Sequence, residues 1–171
     1  LDAGQRAQLV RDMANRVVDA AGDRPIVIVS NAPEVCTWAA ERCIDVISDP
    51  GSLDAAARAG VEHLRGLGCS RVVIAHGDLP FATTFDHVAG EATEPVAVIV
   101  PCHRHDGTPV LAIPTDVAFT FSYGPGSFAR HCDEARSRGL DVRIVEDPSL
   151  AFDVDVPADL DRLSPHVHAQ P

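Results

Sequence analysis

The chain has 171 residues, enough for one domain with a substantial core. Hydrophobic residues make up 46% and aromatics only 5%, so the core must come mainly from Ala, Val, Leu and Ile, which suits α/β layers better than an aromatic-rich β-sandwich. The formal charge of −11 argues against a nucleic-acid surface or an anionic membrane as partner. It leaves anionic substrates open, because a bound metal can reverse the local field.

In chain order, Leu9, Met13 and Val17 recur at helix spacing and predict a helix over Leu1–Ala21. The β-branched run Pro25–Ser30 predicts a buried parallel strand. A helix over Pro33–Cys43 follows, with Pro33 in its first turn, then a strand over Ile44–Ser48, a turn at Asp49–Ser52 and an alanine-rich helix over Leu53–Leu67. Arg71–Ala75 is a third strand, Phe81–Gly90 a helix and Val96–Val100 a fourth strand. The rhythm then changes. Val110–Ile113 and Ala118–Ser122 read as strands with no helix between them, before a helix from Ser127 to Arg138, a strand over Asp141–Glu146 and a short helix over Pro157–Leu163. This alternation predicts a three-layer α/β/α domain on a mostly parallel sheet over residues 1–163, with 164–171 as a tail. Ligands of such sheets bind at the carboxyl ends of strands. Met13 and Trp38 read as core or interface residues.

Every one of the 14 basic side chains is arginine, so no lysine can serve as phosphate clamp, Schiff base or general base. Five dispersed cysteines without a CxxC pair read as reduced, intracellular thiols. No run reaches the roughly 18 apolar residues of a membrane span, and no signal peptide is visible.

Four segments carry candidate chemistry: HGDLP at His76–Pro80, HDGTPVL at His105–Leu111, YGPGSFARH at Tyr123–His131 and FDVDVPADL at Phe152–Leu160. Asp78 follows a strand, and Asp153 and Asp155 follow a short apolar stretch. Carboxylates so placed suit a hard divalent cation, although Asp78 and Asp155 would also serve as plain helix caps. The glycines of the two middle segments, with Thr108 and Ser127, offer amides and hydroxyls to a phosphate or carboxylate, with Arg130 and His131 close to such an anion. Cys102, His103 and His105 are a weak zinc signal, since no second cluster supplies a fourth ligand. His76 reads as a packed or solvated histidine. A P-loop or a GxGxxG fingerprint is absent.

The ordered set HGDLP, DGT before an apolar strand, FSYGPGSFARH and FDVDVPADL resembles the guanylyltransferases of deazaflavin coenzyme F-420 biosynthesis. These join GTP to 2-phospho-L-lactate or phosphoenolpyruvate and release pyrophosphate. The likeness runs from about Leu1 to Leu163. It implies a nucleotidyltransferase fold similar to that of molybdenum-cofactor guanylyltransferase and the GT-A glycosyltransferases. It implies Asp78 and Asp153 as catalytic Mg²⁺ ligands, with Asp155 of the same D-x-D-x-P motif as a further ligand. Thr108, Gly124 and Ser127 would hold the phosphorylated acid, and Ser52, Leu53 and Asp54 would lie near the nucleotide. The implied partners are GTP and a small acid, not nucleic acid or membrane, in a cytoplasmic enzyme, with a homodimer left open. Another nucleotidyl- or glycosyltransferase, or a silent nucleotide-binding homologue, is the alternative. The chain departs from the family at three places: the family's first strand and its lysine-bearing loop are not present, Asp54 replaces an asparagine, and Pro109 replaces a polar residue. The first departure predicts an incomplete nucleotide pocket, seen as an open groove beside Asp78 or a gap in the sheet next to Pro25–Ser30.

Overall fold

The computed structural model describes residues 1–91, 94–154 and 159. In chain order the elements are α1 (Ala3–Ala21), β1 (Val27–Val29), α2 (Pro33–Glu41), β2 (Asp45–Ile47), α3 (Leu53–Gly66), β3 (Arg71–Ala75), α4 (Asp86–Ala89), β4 (Val96–Val100), β5 (Val110–Pro114), α5 (Ser127–Ser137) and β6 (Asp141–Ile144). Local chemistry sets several boundaries. A reciprocal capping box between Asp2 and Gln5 starts α1, and Gly22, at φ 62°, ends it. Ser52 caps α3 by accepting from the Ala55 amide. Trp38 of α2 and Met13 of α1 are buried, and the Trp38 indole N–H donates to Asn15 at 2.9 Å, joining the two helices.

The strands form two ladders. β1 and β2 pair in parallel, while the second ladder has the order β3-β5-β4-β6. In it β4 and β6 are parallel, and β5 runs antiparallel to both β3 and β4. The α/β class is as expected, but the second ladder is mixed. The reason is the short link 101–109, which contains no helix: a parallel return would need a longer crossover, so the chain turns back against itself. The β1–β2 ladder is not hydrogen-bonded to the other four strands, and α3 packs on both β1 and β3.

β4 and β5 are buried along their whole length, and their side chains alternate between two cores. Val96, Val98, Val100, Val110 and Ala112 face one core, with Ala20 of α1, Val88 of α4 and Leu150. Ala97, Ile99, Leu111 and Ile113 face the other, with Ala57 and Val61 of α3 and Cys132 and Ala135 of α5. These are the two interfaces of a three-layer α/β/α sandwich. Leu111 is completely buried at the second interface. Leu111→Ala is expected to lower stability by about 2–5 kcal/mol, since neighbours on a central strand relax little into the void. Urea denaturation measures this, and an unchanged midpoint would show that the α3/α5 layer does not depend on β5.

Two expected elements differ. The helix expected over Phe81–Gly90 is reduced to α4, because residues 81–85 form a turn in which Thr84 Oγ1 accepts from the Asp86 amide and the Phe85 amide donates to Ala20. The strand expected over Ala118–Ser122 keeps the exposed–buried alternation, with Phe119 and Phe121 in the core, but joins no ladder. Side chains of α5 take the place of a neighbouring strand: the Thr120 amide donates to Glu134 at 2.8 Å and the Ser122 amide to His131 at 3.1 Å. The expected helix at 157–163 and the tail lie outside the described residues, apart from Asp159.

Candidate active site

Three chain segments meet at the start of α5: the DGT turn before β5, the extended stretch 118–126 and α5 itself. His131 is completely buried where they meet. Because its Nε2 accepts from the Ser122 amide, the ring proton must sit on Nδ1, which donates to Thr108 Oγ1 at 3.1 Å. Burial pushes its pKa down to about 4, with the Arg130 charge acting in the same direction, so the ring is neutral at physiological pH. Tyr123 packs edge-on against it at 4.9 Å, and burial raises the Tyr123 phenol far above its ordinary range.

Thr108 and Ser127, both expected at the acid pocket, are brought together, with 3.5 Å between their hydroxyl oxygens. Both are almost wholly buried. The Ser127 amide was expected to face a cavity, yet it donates to Gly124 O at 3.0 Å, because the turn into α5 closes on itself. Gly124 is exposed, and a Cβ added there would meet nothing within 4 Å, so this is the open point of the loop. Asp106 has a larger part than a common DGT turn suggests: its carboxylate accepts from the Gly126 amide at 2.9 Å and its carbonyl from the Phe128 amide at 3.0 Å. A carboxylate thus already stands at the positive end of α5. Arg130 does not point to that end but folds back onto the carbonyl oxygens of Ser122, Tyr123 and Pro125.

The nucleotide-side candidates separate. Ser52 is the α3 cap, and Leu53 is exposed. Asp54, in the first turn of α3, reaches the acid-side loop, where its carboxylate accepts from the Tyr123 amide at 2.7 Å. Asp54 therefore links the two halves of the candidate site.

Asp78 follows β3 and is half-buried, while Asp153 is only 5% exposed. Their segments lie side by side, since the rings of Phe81 and Phe152 are 5.4 Å apart. His103 Nδ1 lies 3.9 Å from Asp153, and its ring packs on Phe152. Asp155 falls outside the described residues. Carboxylate oxygens are the donors a hard cation such as Mg²⁺ takes, so the residues present fit that ion. The zinc signal at 102–105 resolves otherwise: Cys102 Sγ accepts from the Gly107 amide at 3.1 Å, and no group of three metal-binding side chains occurs among the described residues. His76, which follows β3, packs its ring against Tyr123 at 5.5 Å.

Asp106 and the loop-directed Arg130 were the functional features least visible in the sequence. Asp106 was visible only as part of a common DGT turn, and Arg130 only as a charge in the first turn of the helix after the glycines.

The three-layer α/β/α fold is shared with solved nucleotidyltransferases. A nucleotidyl transferase from Methanothermobacter thermautotroptrophicus superposes with a TM-score of 0.67 over 92% of this chain and 79% of its own, at 19% identity. The sequence model of the family Guanylyl transferase CofC like matches residues 1–170, and the chain belongs to that family. A relative from Rubrobacter xylanophilus, 38% identical over 95% of this chain and 83% of its own, is named phosphoenolpyruvate guanylyltransferase. Another, from Phenylobacterium zucineum, 32% identical over 91% of this chain and 76% of its own, is named 3-phospho-D-glycerate guanylyltransferase. The chain is thus a nucleotidyltransferase of the guanylyltransferase family.

Proposed function

We propose that the protein transfers GMP from GTP to a phosphorylated three-carbon acid, phosphoenolpyruvate first among them, as a step of coenzyme F-420 biosynthesis. The observation that carries this reading is the match along nearly the whole chain to relatives named for guanylyl transfer to such acids. The loop chemistry supports it through Gly124, whose amide donates to no acceptor among the described residues and lies on an exposed turn.

A phosphate oxygen of the acid attacks the α-phosphorus of GTP, a new P–O bond forms, and the bond to the pyrophosphate leaving group breaks. The attacking phosphate is already ionised, so no strong general base is required, and alignment and charge neutralisation supply the rate. Asp78 and Asp153 would hold Mg²⁺, which when bound neutralises charge on the α-phosphate and the attacking oxygen. Gly124 offers an amide to the acid, while Thr108 and Ser127 sit behind it and fix the loop to β5. Asp54 ties α3, on the nucleotide side, to the same loop.

The test is a survey of pyrophosphate release with Mg²⁺, each nucleoside triphosphate and each of phosphoenolpyruvate, 2-phospho-L-lactate and 3-phosphoglycerate. Release that requires GTP together with one of these acids supports the reading. Release with one of these acids but with a nucleoside triphosphate other than GTP would favour another transferase of the fold. Nucleotide binding without release under any pairing would favour a silent homologue.

A further inference from the structure

The loop 122–126 has its backbone polarity sorted onto two sides, and one side chain does the sorting. Arg130 donates from Nη2 to Ser122 O at 2.8 Å and to Tyr123 O at 3.4 Å, from Nη1 to Pro125 O at 2.6 Å, and from Nε to Ser122 O at 3.3 Å. In a trans peptide the carbonyl and the following N–H point in opposite directions. With these three carbonyls drawn to the guanidinium, the amides of Tyr123, Gly124 and Gly126 are turned to the other side. Two of them visibly receive carboxylates: Tyr123 from Asp54 at 2.7 Å and Gly126 from Asp106 at 2.9 Å. The third, on exposed Gly124, has no hydrogen-bond partner among the described residues, and a Cβ added to that glycine would meet nothing within 4 Å.

We propose that Arg130 is a positioning residue for the acid substrate: it turns the loop so that the Gly124 amide, between two carboxylate-bound amides, receives the acid's anionic group. The inference rests on the reading of the protein as an acid guanylyltransferase. Arg130 acts in two ways. Its planar fork holds several carbonyls at once, which an ammonium cannot do in the same geometry. Its charge also lies directly behind the peptides that meet the anion, offsetting part of the repulsion from Asp54 and Asp106. Arg130 makes no ion pair among the described residues, so its charge is directed to the loop. Gly126 is fitted to this arrangement: it has φ 73°, and a Cβ there would come within 3.1 Å of Arg130 Nη1.

Arg130→Gln and Arg130→Lys, in the full-length protein, test the proposal. Arg130→Gln is expected to raise the KM for phosphoenolpyruvate by at least about tenfold, the scale of losing charge-assisted hydrogen bonds, while the KM for GTP stays unchanged. The rise should be larger at low ionic strength, because part of it is charge. Arg130→Lys should recover the charge-dependent part only, and added guanidinium should lower the acid KM of Arg130→Gln. A merely structural loss would raise both KM values or lower kcat without salt dependence or rescue, and would overturn the proposal. A second readout is independent of turnover: titrating phosphoenolpyruvate should shift the Gly124 amide resonance in the wild-type ¹H–¹⁵N spectrum and leave it in place in Arg130→Gln. A wild type that turns over none of the acids yet shows the Gly124 shift would reject the acid guanylyltransferase reading and keep the loop assignment. Turnover with no Gly124 shift, or with equal shifts in both proteins, would reject the role of Arg130 alone.

Discussion

Asp78→Asn is expected to lower GMP transfer by roughly a thousandfold, the scale of losing a metal-bound carboxylate that stabilises transition-state charge. Asparagine has the same shape, and Asp78 is half-buried beyond the end of β3, so the fold should persist. The side-by-side placement of Phe81 and Phe152, which brings the Asp78 and Asp153 segments together, motivates the prediction. Steady-state turnover at saturating Mg²⁺ and GTP, with circular dichroism as control, measures it. Turnover within a few-fold of wild type would remove Asp78 from the catalytic centre. Partial recovery of Asp78→Asn with Mn²⁺ would strengthen the assignment, since Mn²⁺ accepts neutral donors more readily than Mg²⁺.

Acidification should destabilise the protein through His131. Its folded pKa, about 4, lies below the ordinary 6.5 because the ring is buried; Arg130 and His76 add to the depression, while Asp54 and Glu134 oppose it. Between these values the unfolded chain binds a proton that the folded state refuses. The contribution is therefore fully present above pH 6.5 and is lost as pH falls towards 4. At pH 4.5 the loss should be on the order of 2–3 kcal/mol. Protonation would also set an N–H against the Ser122 amide and open the junction of the stretch 118–122 with α5. Urea midpoints of wild type and His131→Gln from pH 7.5 to 4.5 isolate the effect. The wild type should lose more stability over that window than the variant, and parallel curves would mean that His131 is not held neutral by burial.

The α/β layering was legible in the sequence because β4 and β5 are apolar at every position and the helices carry clear stripes. The direction of β5 was not. A short apolar run reads the same whichever way it runs, and only the helix-free link 101–109 hinted at a return. Ala118–Ser122 has strand periodicity for a good reason, since it buries Phe119 and Phe121. Its hydrogen bonds, however, go to Glu134 and His131, side chains distant in sequence. At the site, the segments themselves were readable, because glycines at a helix start and aspartates after apolar runs have local signatures. What each side chain does there was less readable. Asp54, Asp106 and Arg130 all act on backbone atoms of the loop 122–126, and nothing in their own neighbourhoods specifies which backbone they meet.

The most direct test of guanylyl transfer is to follow label from the α-phosphate of GTP. With α-³²P-GTP, Mg²⁺ and phosphoenolpyruvate, the label should appear in a new phosphoanhydride of GMP and the acid, while γ-³²P-GTP should give labelled pyrophosphate. Label from the α position that stays in GDP or GMP, with none joined to phosphoenolpyruvate, 2-phospho-L-lactate or 3-phosphoglycerate, would contradict the account.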